Sequence, residues 1–372
     1  MARFGTFALL AAALAVPLSH VRAGVYSPDA PSPFPVRADG TAEELPFGPE
    51  FEGPFAQQFG RRLNEADDRP EAVRGSKNED RAGLLARIDG LKGKGGEAAA
   101  LSAAYLRAGK PTEALNLLAP LSRSRSPDFR VLAHFAHAHA VRGEWEEAVR
   151  WHQAAVLDAE FPDDLPDTTP EQRKWLLKVE RQHYTRWLQI HRQRAAAKFP
   201  PDREEVFPLF DVKFVNDAGT YEPGKLAAAE KAKLPPDAVA VVQQLLLWAP
   251  WDTGLYWLLA ELYAADGRVR PADVIFFQCA NSRQYSNRQL LMDHRHVVRE
   301  AAEKARREAP TDVPLIADTP PEQPKPNGDQ FMPSRDKLIA VGVVFGMIVL
   351  VLLALQFRAI GRRLRGGCGP SG

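Results

Sequence analysis

Two segments of this chain read alike when one is shifted by 34 positions against the other, so that Gly109 meets Gly143 and Ala114 meets Ala148. This interval is the period of a repeat that consists of two helices joined by a tight turn. A single hairpin of this kind cannot bury its apolar face, so neighbouring copies stack into a solenoid. The interval therefore predicts an all-α chain built from stacked helical hairpins.

The two segments share a wider pattern of large apolar, small, aromatic, turn and small residues. In residues 98–127 this order falls on Leu101, Ser102, Tyr105, Gly109 and Ala114. In residues 132–162 it falls on Phe135, Ala136, His139, Gly143 and Ala148. The glycine ends the first helix without a Cβ penalty, and the small residues let the two helices approach closely.

A third copy of the pattern lies much later in the chain, at Leu259, Ala260, Tyr263, Gly267 and Ala272. A helix over residues 236–248, capped by Asp237, precedes it and is predicted to be the second helix of a degenerate repeat. Gly267 lies 124 positions after Gly143. This distance is not a multiple of the repeat length, so an insertion over residues 163–235 must interrupt the array.

On these residues the chain resembles the tetratricopeptide repeat (TPR) family. It departs from the family pattern at His139, where an aromatic residue is preferred, and at Asp273, where an apolar residue is usual. The resemblance implies a TPR-like α-solenoid of helical hairpins with one inserted long helix and an irregular loop. It also implies that the inner face of the solenoid binds another protein or a peptide.

The resemblance places one set of side chains on that inner face, here called the predicted groove: Arg107, Arg130, His134, His137, Val141, Trp257 and Glu261. Arginine and tryptophan commonly anchor protein interfaces. The mixture is suited to an acidic or aromatic peptide. We therefore expect a scaffold that mediates protein–protein interactions.

Both ends of the chain are predicted to direct it to a membrane. Residues 1–23 have a basic start, an apolar run and small residues before a cleavage point after Ala23, as in a secretory signal peptide; an uncleaved anchor is the alternative. Residues 338–357 are twenty residues without formal charge. As a helix they just cross a hydrocarbon core of about 30 Å, so we expect a single C-terminal transmembrane helix, with a cleaved sorting tail as the alternative.

The predicted topology follows from these two segments. Export places residues 24–337 in the periplasm or an equivalent extracytoplasmic space, and the basic tail, residues 358–372, in the cytoplasm. Richness in alanine, arginine and proline is typical of a bacterial envelope protein. The 48 basic and 47 acidic side chains nearly cancel, so no overall field attracts nucleic acid. We therefore expect an exported, membrane-anchored bacterial member of the TPR family.

The exported part divides further by composition. Residues 24–80 are rich in proline and glycine and are predicted to be a disordered linker. Residues 81–162 hold a cap helix and the first two repeats, and residues 236–309 hold the C-terminal repeats. Residues 310–337 are again rich in proline and are predicted to form a stalk.

Four phenylalanines recur at every fourth position within the predicted linker: Phe47, Phe51, Phe55 and Phe59. Pro49 and Pro54 exclude one continuous helix through all four. The phenylalanines therefore either cap the first helix of the solenoid or form an exposed motif for a partner.

The insertion begins with a basic amphipathic stretch. Residues 169–199 are predicted to form one long helix, with Thr169 or Thr168 as its cap. One side carries Trp175, Val179, His183, Trp187 and His191, and the rest is strongly basic. Either the aromatic side packs on the solenoid and the basic face is solvated, or the helix lies against anionic lipid. Residues 207–219 are predicted to be a short hairpin or an irregular loop.

The residues that carry chemistry give little support to a metal site or to catalysis. The histidines at 134, 137, 139 and 152 are the only cluster with metal-ligand character, and a helix places just two of them on one face, which is too few for a zinc site. No hydrolase, metalloprotease, phosphate-loop or haem-attachment motif occurs. We expect no cofactor and no enzymatic activity. The alternative is an envelope enzyme or ligand sensor, with a site between the insertion and its flanking repeats.

Overall fold

The structure is a computed structural model that describes residues 34–48, 51–69, 77–92, 98–165, 168–197, 206–282, 285 and 287–308. By contacts the chain divides into two units, and all described residues belong to the first, Met1–Ala309. The predicted signal peptide, stalk, transmembrane helix and tail lie outside the described residues. Within the described part, no helix combines the length and the apolar character needed to cross a membrane.

The described residues are mostly helical, and the all-α prediction is confirmed. In chain order the helices are α1 Pro54–Ala66, α2 Glu79–Leu91, α3 Ala98–Arg107, α4 Pro111–Ser122, α5 Phe129–Val141, α6 Trp145–Asp158, α7 Pro170–Lys178, a π-helix Val179–Tyr184, α8 Thr185–Ala196, α9 Ala228–Lys231, α10 Ala238–Trp248, α11 Thr253–Ala265, α12 Val269–Ser282 and α13 Arg288–Glu308. The described ranges hold no β-strand, only an isolated bridge between Val36 and Ala42.

Three helical hairpins share one turn geometry. The pairs α3–α4, α5–α6 and α11–α12 are joined at Gly109, Gly143 and Gly267, whose φ angles are 72°, 75° and 74°. In each turn the glycine N–H donates to the carbonyl three residues earlier, and the next N–H donates to the carbonyl five residues earlier. This is the Schellman arrangement, which needs a left-handed residue at the helix end. The glycines aligned by the sequence pattern are therefore the three turns.

Small residues follow each of these turns and lie where the paired helices meet. Ala114, Ala148 and Ala272 are each 0% exposed. The helices α3 to α6 also pack in chain order, each against the next. Because an alanine leaves room for the facing backbone, the pattern of small residues accounts for the close pairing of the helices.

The prediction of a disordered linker over residues 24–80 is wrong where the structure describes it. Residues Pro54–Ala66 form α1, and the proline at its first position is tolerated because an N–H there would have no helical partner. Phe55 and Phe59 are fully buried. They stack on each other, and Phe59 stacks on Tyr256 of α11. These phenylalanines therefore pack on the late helix α11, and the prediction that they cap the first helix is wrong.

The long helix predicted over residues 169–199 is present as α7, the π-helix and α8. Thr169 and Gln172 form a reciprocal capping box at its start. Trp175 and Trp187 on its aromatic side are buried, whereas Lys174 on the other side is exposed. The aromatic side thus packs on the helical body, and no tryptophan of this helix is available to a lipid surface. Residues 206–227 are irregular.

The centre of the core is α10. All eleven residues of this helix are buried, as expected of a helix in which nine of eleven residues are apolar and only Gln243 and Gln244 are polar. Asp237 stands at its N-cap, but its side chain makes no cap hydrogen bond. Instead its carboxylate accepts hydrogen bonds from Trp175 Nε1 (2.9 Å) and Lys178 Nζ (3.1 Å). The prediction of a side-chain cap is therefore wrong, because the carboxylate is used to hold α7 against α10.

Candidate functional site

The predicted groove is filled by other parts of the same chain. Six of its members are buried, namely Arg107, His134, His137, Val141, Trp257 and Glu261. Arg130 is the exception, with a side chain that is 27% exposed and paired with Asp128 and Asp164. The expectation that all seven form an accessible lining is therefore corrected for these six. The helix α1 contacts Arg107, the insertion contacts His137, α13 contacts Glu261, and α3 contacts His134.

The helix α1 covers the groove at Arg107. Arg107 Nε donates to Glu65 Oε2 at 2.9 Å, and a second guanidinium nitrogen bonds the other carboxylate oxygen. Arg62 contacts the same carboxylate at 3.2 Å. The guanidinium of Arg107 thus binds the Glu65 carboxylate in a bidentate manner. Both carboxylate oxygens are hydrogen-bonded, which a buried charge requires.

The insertion covers the histidines of the second repeat. His137 Nδ1 lies 2.8 Å from Tyr184 Oη, and His152 Nε2 lies 2.9 Å from Thr185 Oγ1. Burial lowers the pKa of His152 to about 4, so the ring is neutral near pH 7. His134 instead pairs with Ser102 of the first repeat at 2.9 Å. These histidines act as hydrogen-bonded core residues that join helices to one another.

The helix α13 covers the third repeat. Trp257 Nε1 donates to Glu261 Oε1 at 2.6 Å, and His294 Nδ1 of α13 lies 2.7 Å from the same oxygen. Tyr221 of the insertion stacks on His294 with 3.8 Å between ring centroids. Burial, together with the Glu261 carboxylate, raises the pKa of Tyr221 above its usual value. Glu261 therefore holds the fold together at this point and faces no solvent.

The structure instead reveals a site that holds an extended segment of the chain by its backbone. The side-chain amide of Gln243 accepts a hydrogen bond from Leu45 N–H (2.8 Å) and donates one to the Leu45 carbonyl (2.9 Å). The same nitrogen donates to Tyr263 Oη at 2.9 Å. Gln243 is 0% exposed. Because one amide group satisfies both backbone groups of one residue, this contact recognises an extended backbone whatever its side chain.

Two further contacts flank this backbone contact. Arg268 bonds both carboxylate oxygens of Glu44, one of them at 2.8 Å, and also contacts Asp266 at 3.1 Å. Phe47 stacks on Tyr263 with 5.9 Å between ring centroids, and the Arg268 guanidinium lies 4.3 Å from the centroid of the same ring. We call residues 42–48 the resident segment, and Gln243, Tyr263 and Arg268 its receptor.

A pocket of about 480 Å³ adjoins the receptor. Its walls are the resident segment, the loop that ends the insertion, the start of α10 and the end of α11. Its charged lining residues are Arg37, Glu43, Glu44, Lys231, Asp237, Asp266 and Arg268. The volume lies in the range that ligand-binding pockets occupy.

The sequence carried one signal of this site that the pattern of repeats does not explain. Gln243 and Gln244 interrupt the otherwise apolar run of α10, and a polar group in a buried helix requires a hydrogen-bond partner. The partner itself could not be identified, since Leu45 is 198 positions away.

The described residues contain no group of three His, Cys, Asp or Glu side chains arranged to hold a metal ion. Cys279 lies buried in α12, and its Sγ accepts a hydrogen bond from Tyr285 Oη at 3.1 Å. Comparison of the chain with protein-family models, with curated proteins and with solved structures gave no match.

Proposed function

We propose that this protein is a membrane-tethered, TPR-like scaffold that mediates protein–protein interactions in the bacterial cell envelope. Three hairpins with the same glycine turn and the same small residues at the helix crossing support the relation to this repeat class. Repeat arrays of this kind serve many roles, so the proposal depends on a surface that can hold a polypeptide.

The observation that carries the proposal is the contact of Gln243 with the backbone of Leu45. It is a device for holding an extended polypeptide, because hydrogen bonds to the main chain provide affinity and the adjacent side-chain sites provide selectivity. Arg268 and Tyr263 supply those adjacent sites. A scaffold that binds a segment of another protein needs the same elements.

The proposed location depends on the two ends of the chain. The signal-peptide pattern of residues 1–23 and the uncharged run of residues 338–357 support export with a single C-terminal anchor. The proline-rich residues 310–337 would then separate the helical body from the bilayer. No cofactor is part of the proposal.

Crosslinking followed by affinity capture from membranes tests the scaffold function. The intact protein is compared with a control that keeps both ends but lacks residues 34–308, so that contacts made by the ends alone are subtracted. We expect at least one membrane or envelope protein to be captured by the intact chain and not by the control. Identical capture profiles would contradict the proposal.

A further inference from the structure

We propose that the receptor formed by Gln243, Tyr263 and Arg268 is a recognition site for extended peptides in which a glutamate precedes an aromatic residue by three positions. A partner protein that presents such a segment binds there in place of the resident segment. This inference rests on the proposed scaffold function and states the chemistry of its partner.

The first step of recognition is independent of sequence. Gln243 bonds the N–H and the carbonyl of one residue, so any residue other than proline meets this requirement at that position. The residue that occupies it in the resident segment, Leu45, is also buried. The site therefore selects an extended backbone with a non-proline, apolar residue at this point.

The second step reads two side chains. The residue before Leu45 must be an acid, because the Arg268 guanidinium presents two parallel donors that match the two oxygens of a carboxylate. The residue two positions after Leu45 must be aromatic, because the Tyr263 ring offers a face for stacking. The resident residues Glu44 and Phe47 satisfy both requirements.

The geometry allows the resident segment to be exchanged without unfolding the body. The side chains of Glu44 and Arg268 are 32% and 34% exposed, and both line the pocket of about 480 Å³. An incoming peptide can therefore occupy the pocket and reach Arg268 before the resident segment leaves. Exchange breaks the hydrogen bond from Phe55 N–H to the Pro46 carbonyl and the edge contact of Phe47 with Phe55. The helix α1 stays on the body through Phe59, which stacks on Tyr256 of α11.

A resident segment on the same chain competes at a high effective concentration, because it is tethered next to its own site. The apparent affinity for a free peptide is then reduced by the fraction of molecules in which the site is open. A change that weakens the resident segment must tighten binding of a free peptide. A change that damages the receptor must weaken it.

These two kinds of change thus have opposite effects on the affinity for a free peptide, and this contrast provides the test. The full-length protein in detergent is titrated into a fluorescent peptide with the sequence of residues 41–51, and binding is followed by anisotropy. Glu44→Arg weakens the resident segment and is expected to tighten peptide binding by about tenfold. Arg268→Glu breaks the same ion pair from the receptor side and is expected to abolish binding. If the Glu44→Arg protein does not bind the peptide, whatever the Arg268→Glu protein does, the inference is overturned.

A charge swap provides the matched control. A peptide that carries arginine in place of Glu44 is expected to bind the Arg268→Glu protein and not the Glu44→Arg protein. A peptide that carries alanine in place of Phe47 is expected to bind neither. Binding of the alanine peptide as tightly as the original would overturn the proposed requirement for an aromatic residue.

The inference and the scaffold function can fail separately. If a partner is captured from membranes equally well by the Arg268→Glu protein, the scaffold function stands and this recognition site is wrong. If the peptide titrations behave as expected and the capture experiment yields no partner, the recognition site stands and the scaffold function is wrong.

Discussion

At the scale of residues, the buried polar side chains of this chain join helices that are distant in sequence. Asp252 shows how this works. Burial disfavours its ionised form, but His191, the backbone N–H of Leu255 and the Trp187 indole keep its pKa below the usual value. The carboxylate thus remains charged inside the protein and ties α8 to the start of α11.

His152 leads to a prediction about acid stability. Its pKa falls from 6.5 to about 4 in the folded protein because burial disfavours the charged ring, whereas the unfolded chain takes up the proton near pH 6.5. The contribution of the neutral His152 ring to the free energy of unfolding is complete above pH 6.5 and is lost as the pH falls from 6.5 to 4. We expect wild type to lose up to roughly 3 kcal/mol of unfolding free energy across this window from this group.

Urea denaturation at pH 7, 5.5 and 4.5 measures this loss. The His152→Gln protein is expected to lose less stability over the same range, because glutamine doesn't titrate. The control is His296→Gln on α13, where the side chain is 71% exposed and the pH profile should follow that of wild type. Parallel profiles for wild type and His152→Gln would contradict the assignment.

At the scale of elements, the hairpin turns are set by local backbone chemistry. Gly143 has a φ of 75°, and a Cβ added there would meet nothing closer than Trp145 Nε1 at 4.0 Å. Space is therefore available, and the only objection to a side chain is the left-handed backbone. The turn at Gly109 has the same left-handed backbone, with a φ of 72°.

Two glycine substitutions are therefore predicted to have opposite effects on stability. Gly143→Ala should lower the free energy of unfolding by roughly 1 kcal/mol, because alanine is strained in the left-handed region. Gly60→Ala in the middle of α1, where an added Cβ meets no atom within 4 Å, should raise it by roughly 0.5–1 kcal/mol. Chemical denaturation of both variants gives the two values. A stabilising Gly143→Ala would show that this turn isn't left-handed.

These turns are also the part of the fold that the sequence predicts best. Gly109, Gly143 and Gly267 are found as turns because the chemistry of a helix end depends on a few neighbouring residues. The long helix of the insertion was likewise predictable from Thr169 and the spacing of its aromatic residues, although the π-helix within it was not.

At the scale of the whole molecule, sequence reasoning failed where contacts join distant segments. Residues 34–66 contain many prolines and glycines, which is the composition of a linker, yet Phe34, Phe55 and Phe59 are fully buried. Phe34 packs on Trp175 of α7 and Phe59 on Tyr256 of α11, contacts that composition does not indicate. The prediction of an accessible groove failed for the same reason. The repeat pattern indicates which helix face carries Trp257 or His137, but it does not indicate which other segment covers that face.

The described molecule therefore combines stacked hairpins with its own extended segment, held at α10 and α11. This arrangement predicts protected amides in a stretch of the chain that composition alone would assign to a flexible linker. Leu45 N–H is bonded to Gln243, and the N–H groups of Glu43 and Gly48 are bonded to backbone carbonyls.

Hydrogen–deuterium exchange of the full-length protein measures this protection over residues 42–48. We expect slow exchange in wild type, and fast exchange confined to this segment in Gln243→Ala, with α3 to α6 exchanging as in wild type. Exchange of residues 42–48 in wild type at the rate of an unstructured chain would contradict the account.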